Sequence, residues 1–128
     1  MDQKLGEQEL ALLRWVAERG PVSVGEAADT FGAPRDLARS TVLTMMERLR
    51  AKRRLTRRRA GGVYVYRSPE AVEQVMRGAV SRFVEGTLGG SVSPFVRYLA
   101  EAEDLSDDEL AELQSLVARL RSRREEER

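Results

Sequence analysis

Neither cysteine nor histidine occurs among the 128 residues. That double absence excludes a Cys/His zinc site, a disulfide framework, a thiol nucleophile and a histidine general base. No cofactor and no metal are expected, and catalysis has lost its commonest groups. Carboxylates are plentiful, but "EAED" and "SDDE" have the character of a solvated linker and of a helix start, where acidic side chains favour the macrodipole. The stretch "GTLGGS" lacks the lysine of a phosphate-binding loop. A non-enzyme is the expectation. No apolar run reaches the length that spans a bilayer, and "MDQKLGEQEL" has neither the basic nor the apolar region of a secretory signal. A cytoplasmic protein without membrane insertion follows.

Lysine is almost missing: arginine outnumbers it 20 to 2, a bias that both GC-rich coding and demands of stability produce. The net charge of +1 hides an asymmetry. Residues 1–68 hold 14 basic against 8 acidic side chains, a net +6; residues 69–128 hold 8 against 13, a net −5. A basic first half suits a polyanion, and an acidic second half suits another protein chain. Eight basic residues crowd between Arg48 and Arg59 alone. A charge run is usually a solvated face, so its setting decides its meaning.

In "GEQELALLRWVAERGP", Leu10, Leu13, Trp15, Val16 and Ala17 recur at helical spacing before Gly20 and Pro21 stop the pattern. A short second helix is expected in "VSVGEAADTFG", with Ser23 and Glu26 at capping-box spacing, Gly32 as C-terminal cap, and Ala33 and Pro34 as breakers. A third helix spans about Ala38 to Ala51. At about 100° per residue, Val42, Met45, Met46 and Leu49 share one side, with Ser40, Thr41, Thr44 and Arg48 on the other. The methionines read as core filling. Small hydroxyls beside a longer cation let a helix lie against phosphates and base edges. Two short helices joined this way form a helix-turn-helix. "LTRRR", "AGG" and "VYVYR" then read as a β-hairpin, the wing of a winged helix, with Arg57, Arg58 and Arg59 reaching sugar-phosphate.

Composition changes after Arg67. Ser68 and Pro69 are placed to start a helix whose apolar face comprises Val72, Val75, Met76, Ala79, Val80, Phe83 and Val84. A shorter segment carries Phe95, Val96 and Leu99. "LSDDEL" announces the last helix with a second capping box, Ser106 and Glu109, and Leu105 and Leu110 at the positions of a hydrophobic staple. Leu110, Leu113, Val117 and Leu120 step by 3, 4 and 3 residues, a coiled-coil-like seam. These stripes need a partner. A second copy of the chain is the simplest one, with Val80, Phe83, Val84, Phe95, Leu99, Leu110, Leu113, Val117 and Leu120 at the interface; the other solution is helices folding back on the first domain.

"GEQELALLRW", "PVSVGEA", "STVLTMMERLRAKRRL", "GGVYVYRSPE", "FVEGTLGGSVSPFVRYL" and "LSDDELAELQSLV", in this order and spacing from about Leu5 to Leu120, resemble the penicillinase-repressor family. These are winged-helix repressors of β-lactamase and methicillin-resistance operons. The resemblance implies a homodimer, each N-terminal winged helix taking one half-site of an inverted repeat and the C-terminal helices forming the interface. The family's recognition pattern falls on Thr41, Thr44 and Arg48, its wing on Arg57 to Tyr66, and its core tryptophan on Trp15. Two departures stand out. The cysteine cluster of copper-responsive relatives is absent. In antibiotic-responsive members a membrane sensor protease system triggers cleavage near an Asn-Phe pair, and Tyr98-Leu99 occupies the matching place here.

The expected fold is mainly α with a small β-hairpin: a winged helix-turn-helix DNA-binding domain over 1–68 and a helical dimerisation domain over 69–128. The expected function is sequence-specific repression at a palindromic operator in double-stranded DNA, through Arg39, Ser40, Thr41, Thr44 and Arg48 in the major groove and Arg57, Arg58 and Arg59 on the backbone. The alternative is a winged-helix protein-interaction module without sequence-specific DNA binding.

Overall fold

A computed structural model describes residues 5–128; residues 1–4, the start of the expected first domain, lie outside the described residues. The elements are α1 (Glu7–Arg19), β1 (Val22–Ser23), α2 (Val24–Ala27), α3 (Arg39–Ala51), β2 (Thr56–Ala60), β3 (Val63–Arg67), α4 (Val72–Arg82), α5 (Ser93–Glu101) and α6 (Asp107–Glu126). They form two compact units, one ending at Gly89 and one spanning Gly90–Arg128. The fold is mainly helical with a small antiparallel sheet, a winged helix followed by a helical arm.

The first unit holds the core. Leu12, Leu13, Val16, Val22, Phe31, Val42, Met46, Leu49, Leu55, Tyr66 and Val75 are fully buried. At about 1.5–3 kcal/mol for each large aliphatic or phenyl side chain removed from water, this cluster is what stabilises the unit. The sheet has strand order β1-β3-β2. β1 adds a third strand to the expected hairpin through the pairs Val22↔Tyr66 and Ser23↔Val65. Ser23 then serves a second purpose as the N-cap of α2: its Oγ accepts from the Glu26 amide at 3.1 Å, completing the expected capping box.

The joint between α2 and α3 departs from the sequence expectation. Gly32 does not cap a helix in the left-handed region; its φ is −73°. The chain runs on from α2 through a wide π turn, Ala28–Gly32, and a 3₁₀ turn, Ala33–Arg35, which accommodates Pro34 at its start. Asp36, with φ 58°, makes the left-handed turn instead. Gly32 is glycine for lack of room: a Cβ there would lie 2.7 Å from Val42 Cγ2 and 3.3 Å from the Leu37 carbonyl oxygen. Arg35 closes the joint by stacking 3.9 Å over the Phe31 ring and donating to the Phe31 carbonyl at 2.9 Å.

α4 also differs. It begins at Val72 with Ala71 at its N-cap, because Ser68 is occupied in a local turn, its Oγ accepting from the Glu70 amide at 3.2 Å and donating to the Glu70 carbonyl at 2.7 Å. α4 packs on α1 and sends Val75 into the core. The compact unit therefore runs to Gly89, past the composition change at residue 69. In the second unit α6 starts at the expected capping box, with Ser106 Oγ and the Glu109 carboxylate each bonded to the other's amide at 3.1 Å. No residue of Gly90–Arg128 is buried.

Replacing Gly32 by Ala is expected to cost about 1–3 kcal/mol through overpacking against Val42, measured as a lower urea midpoint at unchanged m. Val42→Ala made in the Gly32→Ala background is expected to cost less than in the wild type, since it removes the atom that the new methyl meets.

Candidate nucleic-acid interface

α3 is split lengthwise. Val42, Met45, Met46 and Leu49 are buried in the core, and Ser40, Thr41, Thr44 and Arg48 are exposed on the outer side together with Arg39. Thr44 Oγ1 donates to the Ser40 carbonyl at 2.9 Å, which leaves its oxygen able to accept. Ala38, at the N-cap of α3, offers no side-chain cap. Its first amides are thus left for solvent or an anion.

The wing lies beside this face. β2 and β3 pair in register Arg57↔Tyr66, Arg58↔Val65, Arg59↔Tyr64 and Ala60↔Val63, closed by Gly61 and Gly62 at φ 59° and 83°. Two successive positive φ values are what a tight hairpin of this twist requires, and glycine supplies both without strain. Strand alternation separates the three arginines that the sequence places together. Arg57 and Arg59 share a face with Tyr64, their guanidiniums 4.1 and 5.1 Å from its ring centroid. Arg58 lies on the other face and is exposed.

Arg57 has a partner the sequence reading missed. Its Nη1 donates to Glu47 Oε1 at 2.8 Å, and the Tyr66 hydroxyl donates to Glu47 Oε2 at 3.0 Å. Arg50 donates to the same carboxylate from its Nε at 2.9 Å and its Nη2 at 3.2 Å. One side chain of α3 thus collects a donor from each wing strand and one from its own helix. Arg50's hydrogen bonds foremost, then those of Tyr66 and the charges of Arg50 and Arg57, hold the Glu47 carboxyl below its ordinary pKa against the opposing effect of burial. Burial pushes the Tyr66 phenol up. The signal available in sequence was slight: Glu47 is the only acid among ten basic residues from Arg39 to Arg67.

Trp15 packs on the core, its ring 5.9 Å from that of Phe31. Among the residues expected at a dimer interface, Val80, Phe83, Phe95, Leu110, Val117 and Leu120 are 46–57% exposed. Val84, Leu99 and Leu113 are half-buried. Apolar side chains this open are uncovered within one chain. Among the described residues no helix is long and apolar enough to cross a membrane, and no cluster of metal-ligating side chains occurs.

A family model described as penicillinase repressor matches residues 5–119. Similar solved structures include a MarR family protein from Bacillus stearothermophilus, 20% identical with TM-score 0.51, the match covering 94% of this chain and 76% of that one. A variant of ZitR from Lactococcus lactis is 15% identical with TM-score 0.53, covering 95% of this chain and 77% of that one. The transcriptional regulator BldR from Sulfolobus solfataricus is 17% identical with TM-score 0.50, covering 90% and 75%. At these identities the likeness is one of fold. No curated protein sequence matches the chain significantly.

The lowered Glu47 pKa fixes a sign for acid behaviour. Its contribution to stability is complete above the ordinary glutamate value, about 4.3, and is lost as pH falls through the lower folded-state value. Urea titrations of wild type and Glu47→Gln are expected to show wild type the more stable at pH 7, with the gap closing as the carboxylate is protonated. A gap that is constant with pH would exclude ionised Glu47 as its source.

Proposed function

The chain belongs to the penicillinase repressor family, and from that premise we propose that it is a homodimeric repressor that recognises an inverted-repeat operator in double-stranded DNA. The observation that carries this reading is the outer face of α3, where Ser40, Thr41, Thr44 and Arg48 are exposed beside a basic wing. In the proposal Arg48 reads a base edge, Ser40, Thr41 and Thr44 fit the helix into the major groove, and Arg39, Arg58 and Arg59 meet phosphates. Arg57, drawn to Glu47, contributes by fixing the wing. Family and fold are those of transcriptional regulators, and the reading assigns no catalytic step.

Dimerisation is supported by what one chain leaves uncovered. An arm of roughly forty residues without a buried side chain lacks a core of its own, and α6 presents Leu110, Val117 and Leu120 to solvent. A second copy supplies the cover, with the α5–α6 arm as the dimerisation element and the exposed Val80 of α4 and Phe83 just after it preceding the arm in sequence. The membrane sensor protease that the family resemblance adds as a partner would meet Tyr98-Leu99 inside α5. That helical turn must unwind before it enters an extended protease cleft.

Selection of genomic fragments by the purified protein at near-physiological salt tests the reading directly. Recovery of an inverted repeat upstream of particular genes is the expected result; recovery of random fragments by folded protein would favour the interaction-module alternative. On the recovered duplex, Arg48→Ala is expected to lose about 1–3 kcal/mol and to relax sequence preference. Arg58→Ala is expected to weaken specific and random duplexes alike and to reduce the salt slope by about 0.9. Replacing Leu113 and Val117 by Asp is expected to give monomers by sedimentation and to abolish tight binding to the repeat, with circular dichroism confirming that the first unit stays folded.

A further inference from the structure

We propose that Glu47 is a positioning residue of the DNA-contacting surface, clasping the wing to α3 through Arg57 and Tyr66 and keeping the Arg57 charge away from phosphate. The inference rests on the DNA-binding reading and goes beyond it, because it assigns a role to an acidic group on a surface built to meet a polyanion.

The geometry is specific. Arg57 and Tyr66 are opposite one another in the β2–β3 register, and both donate to one carboxylate on the neighbouring helix, at 2.8 and 3.0 Å. Tyr66 is buried, so its hydroxyl depends on that acceptor. Arg57 is held from a second side by the Tyr64 ring, 4.1 Å away. Glu47 divides its charge between Arg50 and Arg57, so Arg57, fixed between that carboxylate and an aromatic face, is partly neutralised. It therefore releases little counterion on meeting DNA, and the phosphate contacts fall to the arginines whose charge is free. Glu47 also opposes any phosphate that comes close to the clasp. Both effects lower affinity for DNA of arbitrary sequence, and the fixed wing angle keeps the affinity that depends on the fit of α3. Glu47 in this way raises the ratio of specific to random binding.

Glu47→Gln separates charge from shape: the amide oxygen still accepts from Tyr66, but Arg57 loses its counter-charge. The probes are a random-sequence duplex and the duplex retained best by the wild type, each titrated between about 50 and 200 mM salt. The expected result on the random duplex is several-fold tighter binding and a salt slope steeper by about 0.9, the increment for one added phosphate contact, with a reduced preference for the retained duplex. Arg57→Gln alone is expected to leave the slope as in wild type, and the double variant Glu47→Gln, Arg57→Gln to match Arg57→Gln. An unchanged slope in Glu47→Gln overturns the proposal. So does a gain that persists in the double variant, which would come from Arg50, released from the same carboxylate, or from the loss of repulsion between Glu47 and phosphate. A lower slope in Arg57→Gln alone overturns it too, since Arg57 would then already be on phosphate. Hydrogen exchange without DNA distinguishes this failure from failure of the repressor reading. Faster exchange of the 56–67 amides in Glu47→Ala, with α1 unchanged, supports the clasp whether or not the wild type prefers any sequence; an unchanged wing overturns it.

Discussion

The one-sided burial of α3 is the constraint from which the rest of the first unit follows. Val42, Met45, Met46 and Leu49 are held among side chains of α1, the α2 turn and the sheet, and packing at that density leaves the helix no freedom to roll. The outer residues are fixed in consequence rather than by contacts of their own. Gly32 belongs to the same constraint, since the close passage of the α2 turn over Val42 sets the depth at which α3 sits. Lys52 adds a tie from the end of α3 to Glu9 of α1, 2.8 Å long and partly shielded from solvent. A reading helix needs this rigidity, because each base contact is lost if the helix turns by a fraction of a residue.

The wing is held differently. A two-residue loop and five residue pairs make a short ribbon, and such ribbons are marginal alone. β1 supports one edge through only two residues, and the Glu47 clasp adds a polar attachment to α3. An apolar attachment would have stabilised the wing as well. A carboxylate does something an apolar contact does not: it sets the local sign of the surface among arginines that would otherwise act as one indiscriminate patch.

Much of this was legible in the chain because helix and strand periods differ, 3.6 against 2. The period of α3 separated its two faces, and the glycines between "TRRR" and "VYVY" located the hairpin. Periodicity says that a face is buried, not what buries it, and the misreadings came from there. Gly32, followed by Ala33 and Pro34, carries every local sign of a helix end; the atom that dictates it is Val42 Cγ2, ten residues on. The apolar stripe of α4 is legible in the sequence, but composition, which changes at residue 69, does not say that Val75 packs in the first core. Three arginines in a row looked like one basic edge. Strand alternation and a carboxylate 10 residues away divided them, and no local pattern announces such a partner.

The arm poses the opposite energetic problem from the winged unit. α6 is 20 residues long with a good cap at one end, and a helix of that length without tertiary packing is only marginally stable in water. On the proposed reading its order comes from association, so folding of the arm and pairing of chains are one equilibrium and its stability depends on concentration. Pairing also changes what α3 can achieve. In the proposed dimer, once one half-site is occupied, the second α3 binds as an intramolecular event at a raised effective concentration. Modest contacts from a few hydroxyls and one arginine then suffice for an operator of two half-sites. On the same proposal, any event that separates the arms releases the DNA while leaving α3, the wing and the core intact, so control of such a repressor resides more naturally in Gly90–Arg128 than in the proposed reading surface.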